Sequence, residues 1–217
     1  TTVNLSATAE NVTAKTTTAN SLKVTAANTA SLVVNVGEYV HSTSTISADK
    51  ATSVTVNVAS GKDKTTPTPA EITKFDGTIA AAKAETVTVN ATGIVDATIN
   101  AKTATSANIT TTAASSLNLN AAKLESLTIA AAKNLDFTGG TSDLTAVQTL
   151  EATTGGELEL TALAKLSTAS ITGTATNSAA TIDSIGNASL GYDTTLSATG
   201  LKAGLTVTNA ILSGAGA

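Results

Sequence analysis

The chain has 217 residues, a net charge of −4 and only 13% charged side chains, with lysine as its sole fixed cation. That balance excludes the basic, arginine-rich stripes on which nucleic-acid binding rests. Cysteine is absent, which excludes disulfides and thiolate metal sites, and aromatics are 2% against 41% hydrophobics, so Ala, Val, Leu and Ile must build any core.

A buried Val or Leu contributes roughly 1.5–3 kcal/mol and Ala much less. A core of this material needs many regular contacts in place of a few large anchors. No run approaches the roughly 18 apolar residues of a membrane span, and no charged start plus apolar stretch marks a signal peptide. A chain that starts at Thr1 and contains no Met is expected to be a piece of a larger polypeptide.

In chain order, residues 1–60 carry a loose ten-residue repeat. Leu22 and Val24 are answered by Leu32 and Val34, with Val12 and Ala14 before them and Val54 and Val56 after. The step through His41 to Ile46 is degraded. Residues 61–71, "GKDKTTPTPAE", hold both prolines, Pro67 and Pro69, and read as an exposed loop or insertion.

Residues 72–138 form the regular block. Ile79, Val89, Ile99, Ile109, Leu119 and Ile129 fall ten apart without a break. Apolar residues recur at i+2, with Thr, Ser, Asn and Asp between them, which predicts strands buried on one face and not helices. Residues 139–217 keep strand-like pairs such as Leu158 with Leu160 and Leu205 with Val207. This stretch carries 11 of the 15 glycines and reads as an irregular Gly-rich β region or cap. A short helix near Leu144–Leu150 or Leu160–Leu166 is a further expectation.

Evenly spaced strands suit an antiparallel β-sandwich, which stands as the alternative. Its usual turn dipeptides are nearly missing from the regular block, where the connectors are instead near-copies of one another, "NAAK" and "AAAK". Equal columns at equal spacing predict an all-β, parallel β-solenoid. Residues ten apart between Ile79 and Ile129 are expected to occupy equivalent places in successive layers. One coil needs two facing strands, hence about 20 residues. The likeness of Lys83–Val89 to Lys123–Ile129, 40 residues on, agrees with a multiple of 20.

Chemistry is sparse. His41 lies near Glu38 and several hydroxyls, without a nucleophile elbow, and reads as a polar residue of a degraded repeat. Glu157 and Glu159 could be paired as glycosidase carboxylates but flank Leu158 and are expected on the solvent face of a strand. The aromatic platforms usual in sugar grooves have only Tyr39, Phe75, Phe137 and Tyr192 to draw on. No glycine-rich phosphate loop is present. These features predict no catalytic residues and no enzyme. Calcium is the one metal the sequence suggests, with Asp136 and Asp143 in "DFTGGTSD" as candidate ligands; the stretch is a worn form of the G-G-x-G-x-D nonapeptide that lacks the third glycine.

The texture of "NLDFTGGTSDLTAVQTLEATTGGELEL", "ADKATSVTVNVAS" and "TLSATGLKAGLTVTNA" resembles the lattice-forming regions of RTX-type bacterial surface-layer proteins, as in Campylobacter and Caulobacter. The resemblance implies a secreted subunit at the bacterial cell surface that assembles with copies of itself into a calcium-dependent two-dimensional lattice, with any contact to cell-surface polysaccharide made through other domains. Three other readings compete with it. An adhesin or autotransporter-type solenoid stalk would bind a host or neighbouring cell. A carbohydrate-active β-helix enzyme would need a cleft of acidic and aromatic residues where the columns show Thr and Asn. An ice-binding solenoid would need uniformly Thr outer columns.

Overall fold

The computed structural model describes residues 1–5, 21–62, 71–139, 142–186 and 194–210. Pro67, Pro69, Val12, Ala14 and Tyr192, and residues 140–141 of the glycine-rich stretch, lie outside them. The first strands in chain order are β1 (Thr2–Leu5), β2 (Lys23–Thr25), β3 (Ser31–Val36), β4 (His41–Ser42), β5 (Thr45–Ser47), β6 (Ser53–Val58) and β7 (Lys74–Phe75). Then come β8 (Thr78–Ala80), β9 (Thr86–Ala91), β10 (Ile94–Asn100), β11 (Ser106–Thr111), β12 (Ser115–Asn120), β13 (Ser126–Ala131) and β14 (Leu135–Asp136). The last are β15 (Thr149–Thr154), β16 (Glu157–Leu160), β17 (Thr168–Gly173), β18 (Ala179–Ile185), β19 (Thr195–Thr199) and β20 (Gly204–Ala210).

These strands wind into a parallel β-solenoid of about 8 turns, near 22 residues each, with two parallel sheets and no helix among the described residues. Sheet one runs β1-β3-β6-β9-β11-β13-β15-β17-β19, and sheet two runs β2-β5-β8-β10-β12-β14-β16-β18-β20. Every strand pairing is parallel, which rules out the sandwich; the single antiparallel bridge among the described residues, Lys62 with Glu71, closes the base of the proline-bearing insertion. A short third strip joins β4 and β7 to Ile94 and Val95 at the start of β10.

The register corrects one expectation. Residues ten apart do not take equivalent places in successive layers. Val89, Ile109 and Ile129 stack in sheet one, whereas Ile79, Ile99 and Leu119 stack in sheet two. A step of ten crosses the core and a step of 20 returns to the same column, because each coil holds two strands. The step is 20 from Thr86 to Ser106 to Ser126, 22 from Ser31 to Ser53, and 33 from Ser53 to Thr86, where the insertion is spliced in. Later steps are 23 at Thr149, 19 at Thr168 and 27 at Thr195, and both sheets run through them unbroken.

The core is a set of inward columns. One runs Val3, Val34, Val56, Val89, Ile109, Ile129, Ala152, Ile171 and Ala198, one residue from each strand of sheet one. From Val34 to Ile171 every member is buried. Neighbours in such a column stand about 4.8 Å apart, close enough for continuous side-chain contact. Phe75 on β7 and Phe137, the residue after β14, are both fully buried and are the largest side chains of the core.

The corner leading from sheet two to sheet one recurs as a four-residue turn closed by an i+3 to i backbone bond. Ala51 donates to Ala48, Ala84 to Ala81, Ala104 to Ala101 and Leu124 to Ala121, each at 2.9 Å. All eight of these residues are fully buried, which explains the alanine-rich connectors: both ends of the turn point inward where the two sheets converge. The same geometry corrects the helix expectation. Val147 donates to Leu144 at 3.1 Å and Leu166 to Leu163 at 3.3 Å, so the three-residue spacing of these apolar residues marks a corner, and β15 starts directly after the first.

Candidate interaction surface

The two sheets present different outer faces. On sheet one, three outward columns run the length of the rod. The first reads Ser31, Ser53, Thr86, Ser106, Ser126, Thr149, Thr168 and Thr195, a hydroxyl in every coil. The second reads Thr55, Thr88, Asn108, Thr128, Glu151, Ser170 and Ser197 after Val33. The third opens with four asparagines and continues Thr110, Ala130, Thr153, Thr172 and Thr199. Glu151 is the one charge in these columns. β-branched Thr holds few rotamers, so the face is flat, stiff and almost uncharged.

The asparagines form a hydrogen-bonded ladder. Asn35 Nδ2 donates to Asn4 Oδ1 at 2.8 Å, Asn57 Nδ2 to Asn35 Oδ1 at 2.8 Å, and Asn90 Nδ2 to Asn57 Oδ1 at 3.1 Å. Ser53 Oγ donates to Ser31 Oγ at 2.9 Å on the same face. Parallel in-register stacking is what places identical amides one strand spacing apart. A shallow groove of about 410 Å³ runs beside the ladder, floored by Val36, Val58 and Ala91.

Sheet two carries the charge. On the strip formed by β4, β7 and β10, Lys74 Nζ donates to Asp96 Oδ2 at 2.7 Å and lies 3.2 Å from Asp76 Oδ2. Burial lowers the Lys74 pKa, but the hydrogen bonds and charges of Asp96 and Asp76 outweigh it and hold the group above its ordinary value. His41 Nε2 sits 3.9 Å from Asp76 Oδ2 and has no hydrogen-bond partner. The sequence reading linked His41 to Glu38 and missed Lys74, Asp76 and Asp96. No single spacing marks the cluster, because His41 pairs with Lys74 across a 33-residue coil and Lys74 with Ile94 across a 20-residue one.

Asp96 begins a polar column that continues through Ser116, Asp136, Glu159, Thr181 and Thr206. Glu157 and Glu159 lie on the outer side of β16, as expected from their alternation with Leu158 and Leu160. Partial burial, then the charges of Asp136 and Glu157, raise the Glu159 pKa above its ordinary value, and the Thr138 hydroxyl opposes the shift.

Asp136 and Asp143 are not brought together. Asp136 pairs with Ser116 and Asp143 with Asn120, four positions along a strand and so about 13 Å apart at 3.3 Å per residue. Each is committed locally: Asp136 Oδ1 accepts from Thr138 Oγ1 and Asp143 Oδ1 from Thr145 Oγ1, both at 2.6 Å. No group of three or more His, Cys, Asp or Glu among the described residues converges on one point. Calcium takes six to eight oxygens, so the pair does not fit a shared calcium ion. Phe75 and Phe137, counted among possible sugar platforms, are core residues.

Comparison with protein family models, with curated proteins and with solved structures finds no match. The β-solenoid fold is consistent with structural or adhesive roles.

Proposed function

We propose that this chain is a structural segment of a bacterial surface layer, lying outside the cell and assembling with copies of itself into a lattice. The observation that carries the reading is the outer face of sheet one. Eight successive hydroxyls and a four-residue asparagine ladder give a flat surface with one charge along its length. Such a surface meets a neighbour without like-charge repulsion, whereas a chain of net charge −4 would otherwise hold copies apart. The texture shared with RTX-type surface-layer regions supports the same reading. Calcium enters as a condition for assembly and is assigned no site at Asp136 and Asp143.

Electron microscopy of the purified chain, with calcium and after chelation, tests the proposal. Ordered two-dimensional arrays are expected with calcium. Monodisperse particles under both conditions overturn it.

A further inference from the structure

Five lysines stand in a row along one corner of the rod. Lys50, Lys83, Lys102, Lys123 and Lys165 each hold a middle position of a four-residue turn leading from sheet two to sheet one. The turn's ends are buried, so its middle faces solvent, and the first four of these lysines are exposed. Lys83, Lys102 and Lys123 occupy three successive coils, a step of about 4.8 Å. Asp49, Glu85 and Glu125 adjoin the row and still leave the lysines in excess.

The outer side of sheet two holds the opposite charge. Lys74 lies between Asp76 and Asp96 and offsets them. The next carboxylates are Asp136 on β14, Glu157 and Glu159 on β16, and Asp183 on β18, again three successive coils. Every ion pair among the described residues belongs to the Lys74 cluster, so neither these acids nor the lysine row is paired within the rod. Residues 140–141 and 187–193, outside the described ones, contain no lysine. Burial, then Asp136 and Glu157, raise the Glu159 pKa, and no cation acts on it.

We infer that the lysine row of one copy docks along the outer face of sheet two of another copy, setting Lys83, Lys102 and Lys123 against the carboxylates of β14, β16 and β18. The occupant is a second copy because both rows advance one coil per charge. Strand spacing fixes that pitch and is the same in every copy, so three contacts come into register at once. A single exposed ion pair contributes little; several at one pitch act together and disfavour partners with mismatched charge. The contact joins two different surfaces, so it does not close on itself and extends from copy to copy. A two-dimensional lattice needs more than one kind of contact, and this one stands beside the neutral face of sheet one. The inference rests on the self-assembly proposed above and assigns the charged contact within it.

The test uses the full chain and two charge-reversed variants. One carries Lys83→Glu, Lys102→Glu and Lys123→Glu, all at exposed turn positions; the other carries Glu157→Lys, Glu159→Lys and Asp183→Lys. Circular dichroism checks that each keeps its β content. Sedimentation velocity in chelator, where no divalent cation bridges carboxylates, is expected to show association of the unmodified chain at about 0.01 M salt. That association is expected to disappear at about 1 M salt, where charges are screened beyond about 3 Å. Each variant alone is expected to lose about tenfold or more of the associated fraction, and an equimolar mixture to regain it, since each reversed surface then meets its opposite. A chain that stays monomeric at low salt overturns the inference, as does association that salt leaves unchanged. Undiminished association of the lysine-row variant overturns it too, and so does a mixture no better than either variant alone. Arrays with calcium that persist in the lysine-row variant overturn the charged contact and leave the surface-layer reading standing. Salt-sensitive, reversal-rescued association without arrays supports the contact and removes that reading.

Discussion

Asn57 donates its side-chain amide to Oδ1 of Asn35, 22 residues earlier in the chain, and at its own Oδ1 accepts from Asn90, 33 residues later. It is the middle of a ladder, bonded on both sides. Replacing it with alanine removes two hydrogen bonds at about 1 kcal/mol each. Asn57→Ala is expected to lower stability by ~1–2 kcal/mol, and Asn90→Ala, which removes the one ladder bond between Asn90 and Asn57, by about half as much. Urea denaturation reads this as a shift of midpoint at constant slope. An unshifted midpoint for Asn57→Ala would mean that water replaces the ladder without loss.

Lys74 separates two carboxylates that the 20-residue step sets side by side. Lys74→Met is expected to destabilise by ~1 kcal/mol, the upper range for exposed ion pairs, and adding Asp96→Asn is expected to restore much of the loss. The folded-state pKa of Lys74 is raised, so its contribution is fully present below the unfolded value near 10.5 and disappears as pH rises through the folded one. Thermal unfolding of wild type and Lys74→Met should therefore converge in strong alkali.

Gly93 is placed by the insertion. A Cβ there would meet the carbonyl oxygen of Ala59 and would lie 2.9 Å from that of Thr73, the residues that flank the inserted segment. Its φ is not positive, so the demand is for space alone. Gly93→Ala is expected to cost ~1–3 kcal/mol, the range for forced overpacking. One 20-residue step further on, with no insertion to accommodate, the equivalent residue is Ala113. A melting temperature unchanged by Gly93→Ala would show that the insertion yields.

Ile109 stands in the middle of the sheet-one column with no exposed surface, between Val89 and Ile129. Ile109→Ala is expected to destabilise by ~2–5 kcal/mol, because the side chains of the adjoining coils are held by their own strands and cannot collapse into the space. A loss below about 1 kcal/mol would mean that the column relaxes along the rod axis.

Glu159 has a raised folded-state pKa, because partial burial and then the charges of Asp136 and Glu157 disfavour its ionised form. For a raised carboxyl, stability falls as pH climbs from the unfolded pKa through the folded one. Glu159→Gln is expected to be more stable than wild type at neutral pH, by no more than ~0.5 kcal/mol as for exposed charges, and the difference should vanish below the unfolded pKa. A variant less stable at pH 7 would contradict the assigned cause.

The alternation of Val87, Val89 and Ala91 with Thr86, Thr88 and Asn90 was enough to predict β9 and its buried face, because a strand's two faces are separated by single residues. The likeness of Lys83–Val89 to Lys123–Ile129, 40 residues on, agreed with a coil of about 20 residues. The sorting of columns between sheets was not legible. Asp96 and Asn108 look like neighbours in one ten-residue pattern, yet the first lies on the charged strip and the second on the uncharged face. The ladder shows why. Asn35, Asn57 and Asn90 are 22 and 33 residues apart, and no fixed period links them.

The sequence by itself determined a rod of parallel coils, their approximate length and their small-residue core, since those follow from local periodicity and from which side chains avoid water. Only the tertiary structure decided that one outer face is neutral and the other charged, that Asp136 and Asp143 stand far apart, and that His41, Lys74, Asp76 and Asp96 meet. Those juxtapositions depend on how many residues each corner and insertion consumes before the chain rejoins its column. A corner closed by hydrogen bonds on one side and a long excursion on the other return to the same register, and only the folded coil counts the difference.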